Sequence, residues 1–193
     1  MNVRPAIAAL AIAGCLLLAG APAQAQLNPF GGYWENVARA ASKNDANKVQ
    51  QLIAGGSSPN ETDENNRTGL HMAAVNGNVR MLAILVKGGA KTDAKDKLGN
   101  TPLHYACESN QIEIAKLLLD LGTPVDPENK QGMTPLMVAA RHGDVEIVQA
   151  LLAKGASATK LDYTGRDAGG WAAESRKPSI VQALKRAADT SKR

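Results

Sequence analysis

Apolar positions recur along the chain every 33 residues, in two short apolar segments per interval with a glycine after the second. The same position in four successive units is leucine, at Leu85, Leu118, Leu151 and Leu184. A fixed period of this length is typical of stacked supersecondary units, each of which buries its apolar face only against its neighbours. We therefore predict a solenoid whose function lies in an extended surface rather than in a pocket.

The third unit shows which elements the pattern predicts. Thr101 can cap a helix with its hydroxyl, and Pro102 suits the first helical position, where no amide partner is needed. Asn110 stands where this helix must stop, since asparagine tolerates a left-handed backbone. The apolar segment 112–119 then predicts a second helix, which Gly122 ends. Each unit is therefore expected to be a helix, a tight turn, an antiparallel helix and a projecting turn.

The start of the first helix also carries a motif, Thr-Pro-Leu-His, which resembles that of ankyrin repeats. The motif is complete in one unit, at Thr101, Pro102, Leu103 and His104. The next unit lacks the histidine and has Thr134, Pro135 and Leu136. The preceding unit has glycine in place of proline, between Thr68 and His71. The resemblance implies an all-α solenoid of helix-turn-helix units with projecting β-turn or hairpin loops. It also implies that the histidines tie the turns to the helices through hydrogen bonds.

The 33-residue register divides the chain. The two terminal units keep the helix pair but lack the motif, as expected of caps whose outer faces meet water. The predicted segments are a signal peptide at 1–25, a flexible lead at 26–32, an N-terminal cap repeat at 33–62, full repeats at 63–95, 96–128 and 129–161, a C-terminal cap repeat at 162–188, and a charged tail at 189–193.

The first 25 residues have the features of a secretory signal peptide. Arg4 precedes an uncharged apolar run over 6–21, and Ala23-Gln24-Ala25 is a small-residue cleavage signal. An uncleaved membrane anchor would need about 20 apolar residues, which is more than this run contains. Lipidation at Cys15 is an alternative, although the leucines that follow it continue the apolar run. We expect a periplasmic protein without stable membrane insertion after cleavage; a secreted or lipid-anchored protein is the alternative.

Composition narrows the class of partner. Removing residues 1–25 takes one of the 22 basic residues and none of the 18 acidic ones, which leaves 21 against 18, a net charge of +3. That charge is too small to indicate a nucleic-acid binder. Cys107 is then the only remaining cysteine, so no disulfide can form within one mature chain.

Residues with catalytic or metal-binding potential are few. His71 and His104 occupy equivalent positions in adjacent units, and the expected helix spacing of roughly 8–10 Å is too large for a shared zinc ion. Cys107 fills a slot that is alanine in the neighbouring units, which predicts a buried, inert thiol. No nucleophile elbow, phosphate loop or metal motif is present. We therefore predict no catalytic residue, no metal and no cofactor, and hence no enzyme.

The ankyrin resemblance implies a concave ligand face made from the projecting turns and the outer part of the first helices. Positions there that the framework leaves free are the candidate partner-binding residues: Arg67, Lys97, Leu98, Asn100, Lys130, Met133, Arg141, His142, Tyr163 and Arg166. Cations mixed with exposed apolar and aromatic residues are typical of a protein-binding face.

The leading hypothesis is a periplasmic protein-interaction module, similar to small exported bacterial ankyrin proteins, whose partner is another protein with an acidic or mixed-charge face. The alternative is a secreted effector or antitoxin-like factor that acts on a host or neighbouring cell. Enzyme activity is a third and weaker option.

Overall fold

The computed structural model describes residues 35–190, and within this range the chain forms α-helices and no β-strand. The predicted all-α stack of helix pairs is confirmed. The helices are α1 (Val37–Ser42), α2 (Ala46–Ala54), α3 (Gly69–Asn76), α4 (Val79–Lys87), α5 (Pro102–Glu108), α6 (Ile112–Asp120), α7 (Pro135–His142), α8 (Val145–Ala153), α9 (Ala168–Ser175) and α10 (Pro178–Thr190). The signal peptide, Cys15, the lead 26–32 and the first residues of the N-terminal cap lie outside the described residues.

The helices form two layers. The first helices of the units, α1, α3, α5, α7 and α9, pack against one another in order, and the second helices α2, α4, α6, α8 and α10 form the other layer. The leucines that mark the period lie between the layers: Leu85, Leu118 and Leu151 are fully buried, and Leu184 is 2% exposed. Each unit thus buries its apolar face against its neighbours, as the period predicts.

The turn between paired helices needs a left-handed residue, as expected. Gly77, Asn110 and Gly143 have φ values of 65°, 52° and 81°. Arg176 takes the same conformation in the last unit, with φ 54°, although it is neither glycine nor asparagine. The last helix continues to Thr190, so helical structure extends two residues beyond the predicted boundary at 188.

The projecting turns are built on an Asx residue that the sequence places at 33-residue intervals. In each turn its Oδ1 atom accepts backbone N–H groups two and four residues further on, at 2.7–3.0 Å. The backbone N–H of the same residue donates to the carbonyl four residues later, which closes the turn. The residues are Asp63, Asp96, Asn129 and Asp162.

Backbone hydrogen bonds also join each turn to the next. Lys97 N–H donates to the carbonyl of Asn65 at 2.9 Å, and Lys130 N–H donates to that of Leu98 at 2.9 Å. Tyr163 N–H donates to Gln131 in the same way, at 3.0 Å. The four turns therefore form one continuous row, and their exposed side chains are held in register.

Candidate functional site

One surface, the turn face, consists of the four turns (62–68, 95–101, 128–134 and 161–167) and the exposed residues of α3, α5, α7 and α9. Two histidines anchor it from beneath. The backbone N–H of Thr101 donates to Nδ1 of His104 at 3.1 Å, so the proton of the neutral ring lies on Nε2. Nε2 donates to the carbonyl of Met133 in the next turn, at 3.1 Å. His71 makes the equivalent bonds to Thr68 and Asn100.

Burial lowers the pKa of both histidines. Desolvation outweighs the hydrogen bond to Met133 and lowers the pKa of His104 to about 4. Desolvation also lowers the pKa of His71, against the effect of its bond to Asn100. Both rings are neutral at physiological pH and are engaged on both nitrogens, so they serve the fold rather than acid–base chemistry.

The first helices have a row of equivalent positions beside the turns, and these positions hold different side chains. The Tyr105 hydroxyl donates to Oδ2 of Asp96 at 2.7 Å. Burial, and to a smaller extent the hydrogen bond to this carboxylate, raises the pKa of Tyr105 to about 12. Two units later, Trp171 donates Nε1–H to Oδ2 of Asp162 at 2.9 Å. Each aromatic donor thus pairs with the aspartate of its own turn.

The intervening unit lacks such a donor. Val138 occupies the position between the two aromatic residues, and the turn residue is asparagine rather than aspartate. Without a donor above it, Asn129 turns its amide to Oδ1 of Asn100, at 2.9 Å. Beside the large Tyr105 side chain, the smaller Val138 leaves a depression, a cavity of about 290 Å³ that is open to solvent. Leu98, Tyr105, Glu108, Gln131 and Arg141 line it together with Val138.

The apolar and cationic tips of the turns are exposed. The side chains of Leu98 and Tyr163 are 62% and 74% exposed, although both are large and apolar or aromatic. Lys97 and Lys130 are exposed beside them. Within residues 35–190, no carboxylate lies within 4.0 Å of either lysine.

Three of the predicted binding residues are committed to contacts within the protein. Arg67 forms a two-pronged ion pair with Oδ2 of Asp63, at 2.8 and 2.7 Å. Arg166 pairs with Glu174 at 2.6 Å. Asn100 is half-buried, and its carbonyl accepts the bond from His71. Their charges and polar groups are therefore less available to a partner than those at the tips.

Met133 does not have the exposure that its prediction as a binding residue assumed. It is 3% exposed, its N–H donates to Asn129, and its carbonyl accepts from His104. The physical reason is its register. It occupies the exit of the turn, whereas the exposed position equivalent to Leu98 is Gln131.

Arg141 and Trp171 come together at the C-terminal part of the turn face. The guanidinium of Arg141 lies 5.5 Å from the centre of the Trp171 ring, and that of Arg166 lies 4.7 Å from it. His142 is exposed next to Arg141, with Nε2 3.5 Å from Nη2. The sequence reasoning missed Tyr105, Val138 and Trp171; their equivalence at 33-residue spacing was the signal that could have found them.

Two buried groups lie away from this surface. Cys107 is fully buried, and burial raises the pKa of its thiol. Asp144 is 9% exposed, burial raises its pKa, and its Oδ2 atom has no hydrogen-bond partner. Asn78 holds the equivalent position two units earlier and donates to Asn44 at 2.8 Å. An amide is therefore satisfied where the carboxylate is not.

The described part of the chain contains no cluster of three or more histidine, cysteine, aspartate or glutamate side chains that could hold a metal ion. None of its helices is long and apolar enough to cross a membrane.

One comparison with known families gives a match. The model of a family described as ankyrin repeats (3 copies) matches residues 37–128 and again residues 121–193. No curated protein matches the chain at a significant level.

Proposed function

Because the chain belongs to the ankyrin repeat family, whose repeats generally mediate protein–protein interaction, we propose that it binds another exported protein through the turn face in the periplasm. The observation that carries the proposal is the row of turn tips. Leu98 and Tyr163 are exposed although their side chains are large and apolar or aromatic, and they lie next to Lys97 and Lys130, which have no acidic partner among residues 35–190.

This mixture has the chemistry of an interface. Aromatic residues and arginine are enriched in protein interfaces, and charges at the rim steer the approach of the partner. The hydrogen-bonded row of turns adds preorganisation, since binding does not have to order the backbone that carries the tips. A partner with an acidic or mixed-charge face fits the excess of cations. The periplasmic location rests on the signal-peptide pattern of residues 1–25.

The experiment is capture of partners from periplasmic extract by the immobilised protein. The test variant combines Leu98→Ala, Arg141→Ala and Tyr163→Ala; Met133 is left intact because it is buried. A matched control combines Leu121→Ala and Arg80→Ala, which alter an exposed leucine and an exposed arginine of the second-helix layer.

We expect the test variant to lose the captured protein and the control variant to retain it. Thermal unfolding of both variants at the wild-type temperature would show that the fold is intact. If the test variant retains the same partners as the wild type, the turn face is not the binding surface and the proposal is wrong.

A further inference from the structure

We propose that the depression over Val138, the Val138 notch, is a specificity site for an extended segment of the partner. The notch takes an apolar side chain of that segment, and a residue with a carboxylate follows it in the partner's sequence. The inference rests on the proposed function, because it specifies what the turn face recognises.

The first step concerns shape. Positions equivalent to Val138 hold Met72, Tyr105 and Trp171 in three of the other four units, so the fold accommodates larger side chains there. Valine in this one unit leaves an apolar floor between the Tyr105 ring and the Arg141 side chain. The smaller residue beside Tyr105 thus leaves a socket for one apolar side chain. The Leu98 side chain, which is 62% exposed, also lines the notch and offers further apolar contact.

The second step concerns charge. Two guanidinium groups lie over the Trp171 ring, and the tryptophan is itself fixed by its bond to Asp162. The charge of Arg166 is compensated by Glu174 at 2.6 Å. Arg141 has no carboxylate within 4.0 Å among the described residues. Stacking therefore holds one uncompensated guanidinium at the edge of the notch, where it can bind a carboxylate in a two-pronged arrangement.

The third step concerns the kind of ligand. A pocket that holds a small molecule by itself encloses most of the ligand surface, and its volume is roughly 300–1,000 Å³. The notch is at the lower limit of that range and open, so it suits one side chain of a larger partner better than a free ligand. Among residues 35–190, Glu108 is the only acid that lines it, against Arg141 there and Lys97 and Lys130 on the adjoining turns. Charge complementarity thus favours an acidic segment.

The test begins with a phage-displayed library of random peptides selected on the immobilised full-length chain. We expect the enriched sequences to carry an aliphatic or aromatic residue with Asp or Glu within the next few positions. Synthetic versions of these peptides would then be titrated while Trp171 fluorescence is recorded, in a Trp34→Phe background that leaves one tryptophan. Binding at the notch is expected to change this emission, since Arg141 contacts both the ring and the peptide.

Four variants separate the components. Val138→Tyr and Val138→Met fill the notch with residues that the same position holds in other units, and each is expected to weaken binding at least about tenfold. Arg141→Gln is expected to abolish the preference for a peptide glutamate over glutamine. Arg80→Gln, which removes an exposed arginine of α4, is the matched control and should leave both properties unchanged.

The proposal is overturned if no peptide is enriched, if the enriched peptides lack the acid, or if both Val138 variants bind them as the wild type does. If peptides bind but only the Leu98, Arg141 and Tyr163 triple variant abolishes binding, the notch fails as a specificity site while the proposed function stands. If capture of the periplasmic partner is insensitive to that triple variant, the proposed function fails as well.

Discussion

Replacing His104 with methionine, the residue at the same position in the next unit, tests how one buried imidazole affects the stability of this protein. The comparison is between the free energies of unfolding of the wild type and the variant. The side chain is 2% exposed and bonded through both ring nitrogens. Protonation would place a second hydrogen on Nδ1, where the backbone N–H of Thr101 already donates. The charged ring must therefore give up the bond from Thr101 N–H, one of the two bonds of the capping box, and it is also deprived of hydration.

The sign of the pH effect follows from the direction of the pKa shift. The pKa of His104 falls from 6.5 in a model compound to about 4 in the folded protein. The unfolded chain then binds more protons in this interval, so the stabilisation is complete above pH 6.5 and is lost as the pH falls towards 4. At about pH 4.5 the loss amounts to roughly 2.5 kcal/mol.

In His104→Met the loss at neutral pH should be small. Met137 shows that methionine fits this position, where its sulfur accepts from Thr134 N–H at 3.5 Å. The Met133 carbonyl keeps a second donor, Asn129 N–H at 3.1 Å. The variant therefore lacks one hydrogen bond, and we expect it to be less stable by about 1 kcal/mol at neutral pH. The two stabilities should cross between about pH 5 and 6, below which the variant is the more stable.

Urea unfolding followed by far-UV circular dichroism, at several pH values for both proteins, measures the difference. His71 and every other ionisable group are the same in both proteins, so their contributions largely cancel in the comparison. A difference in the free energy of unfolding that stays constant from neutral pH down to about pH 4.5 would refute the reasoning, because it would mean that His104 does not resist protonation in the folded state.

Three further perturbations test the packing and the turns. Leu118→Ala should reduce the free energy of unfolding by about 2–5 kcal/mol, measured by urea unfolding, whereas Leu121→Ala at a 47% exposed position should change it little. Asp144→Asn should stabilise the protein by about 1 kcal/mol at neutral pH, since the amide gains the partner that the carboxylate lacks. The gain should shrink in acid, because a carboxyl with a raised pKa is protonated in the folded wild type there and no longer destabilises it. A gain that is the same in acid as at neutral pH would contradict this explanation. Gly132→Ala should lower the melting temperature more than Gly155→Ala, because both have positive φ but only at Gly132 would the added Cβ lie 2.6 Å from a tyrosine ring.

The fold could be predicted from the sequence because its determinants are local or recur at a fixed 33-residue period. Thr101 and Pro102 start a helix through their own chemistry, and Asn110 accepts the left-handed backbone that the tight turn needs. Cys107 is buried because its register is that of two buried alanines. Such positions need no knowledge of distant contacts, since every unit repeats the same environment.

The binding residues were harder to assign, because the same register holds different side chains in different units. Methionine is a residue type that is common in protein interfaces, yet the backbone of Met133 closes the turn and its side chain is buried. Arg67 and Arg166 resemble free cations in the sequence, but each pairs with an acid within eight residues. Counting charges along the turns therefore overestimated how many are available to a partner.

The sequence by itself determined the helix pairs, their caps and which positions face the core, because the 33-residue period places equivalent residues in equivalent surroundings. Only the tertiary structure decided the shape and charge of the exposed face. Whether Val138 leaves a notch depends on Tyr105 one unit before it, and whether Arg141 is held in place depends on Trp171 one unit after it. Those contacts join side chains from separate units, and local propensity carries no information about them.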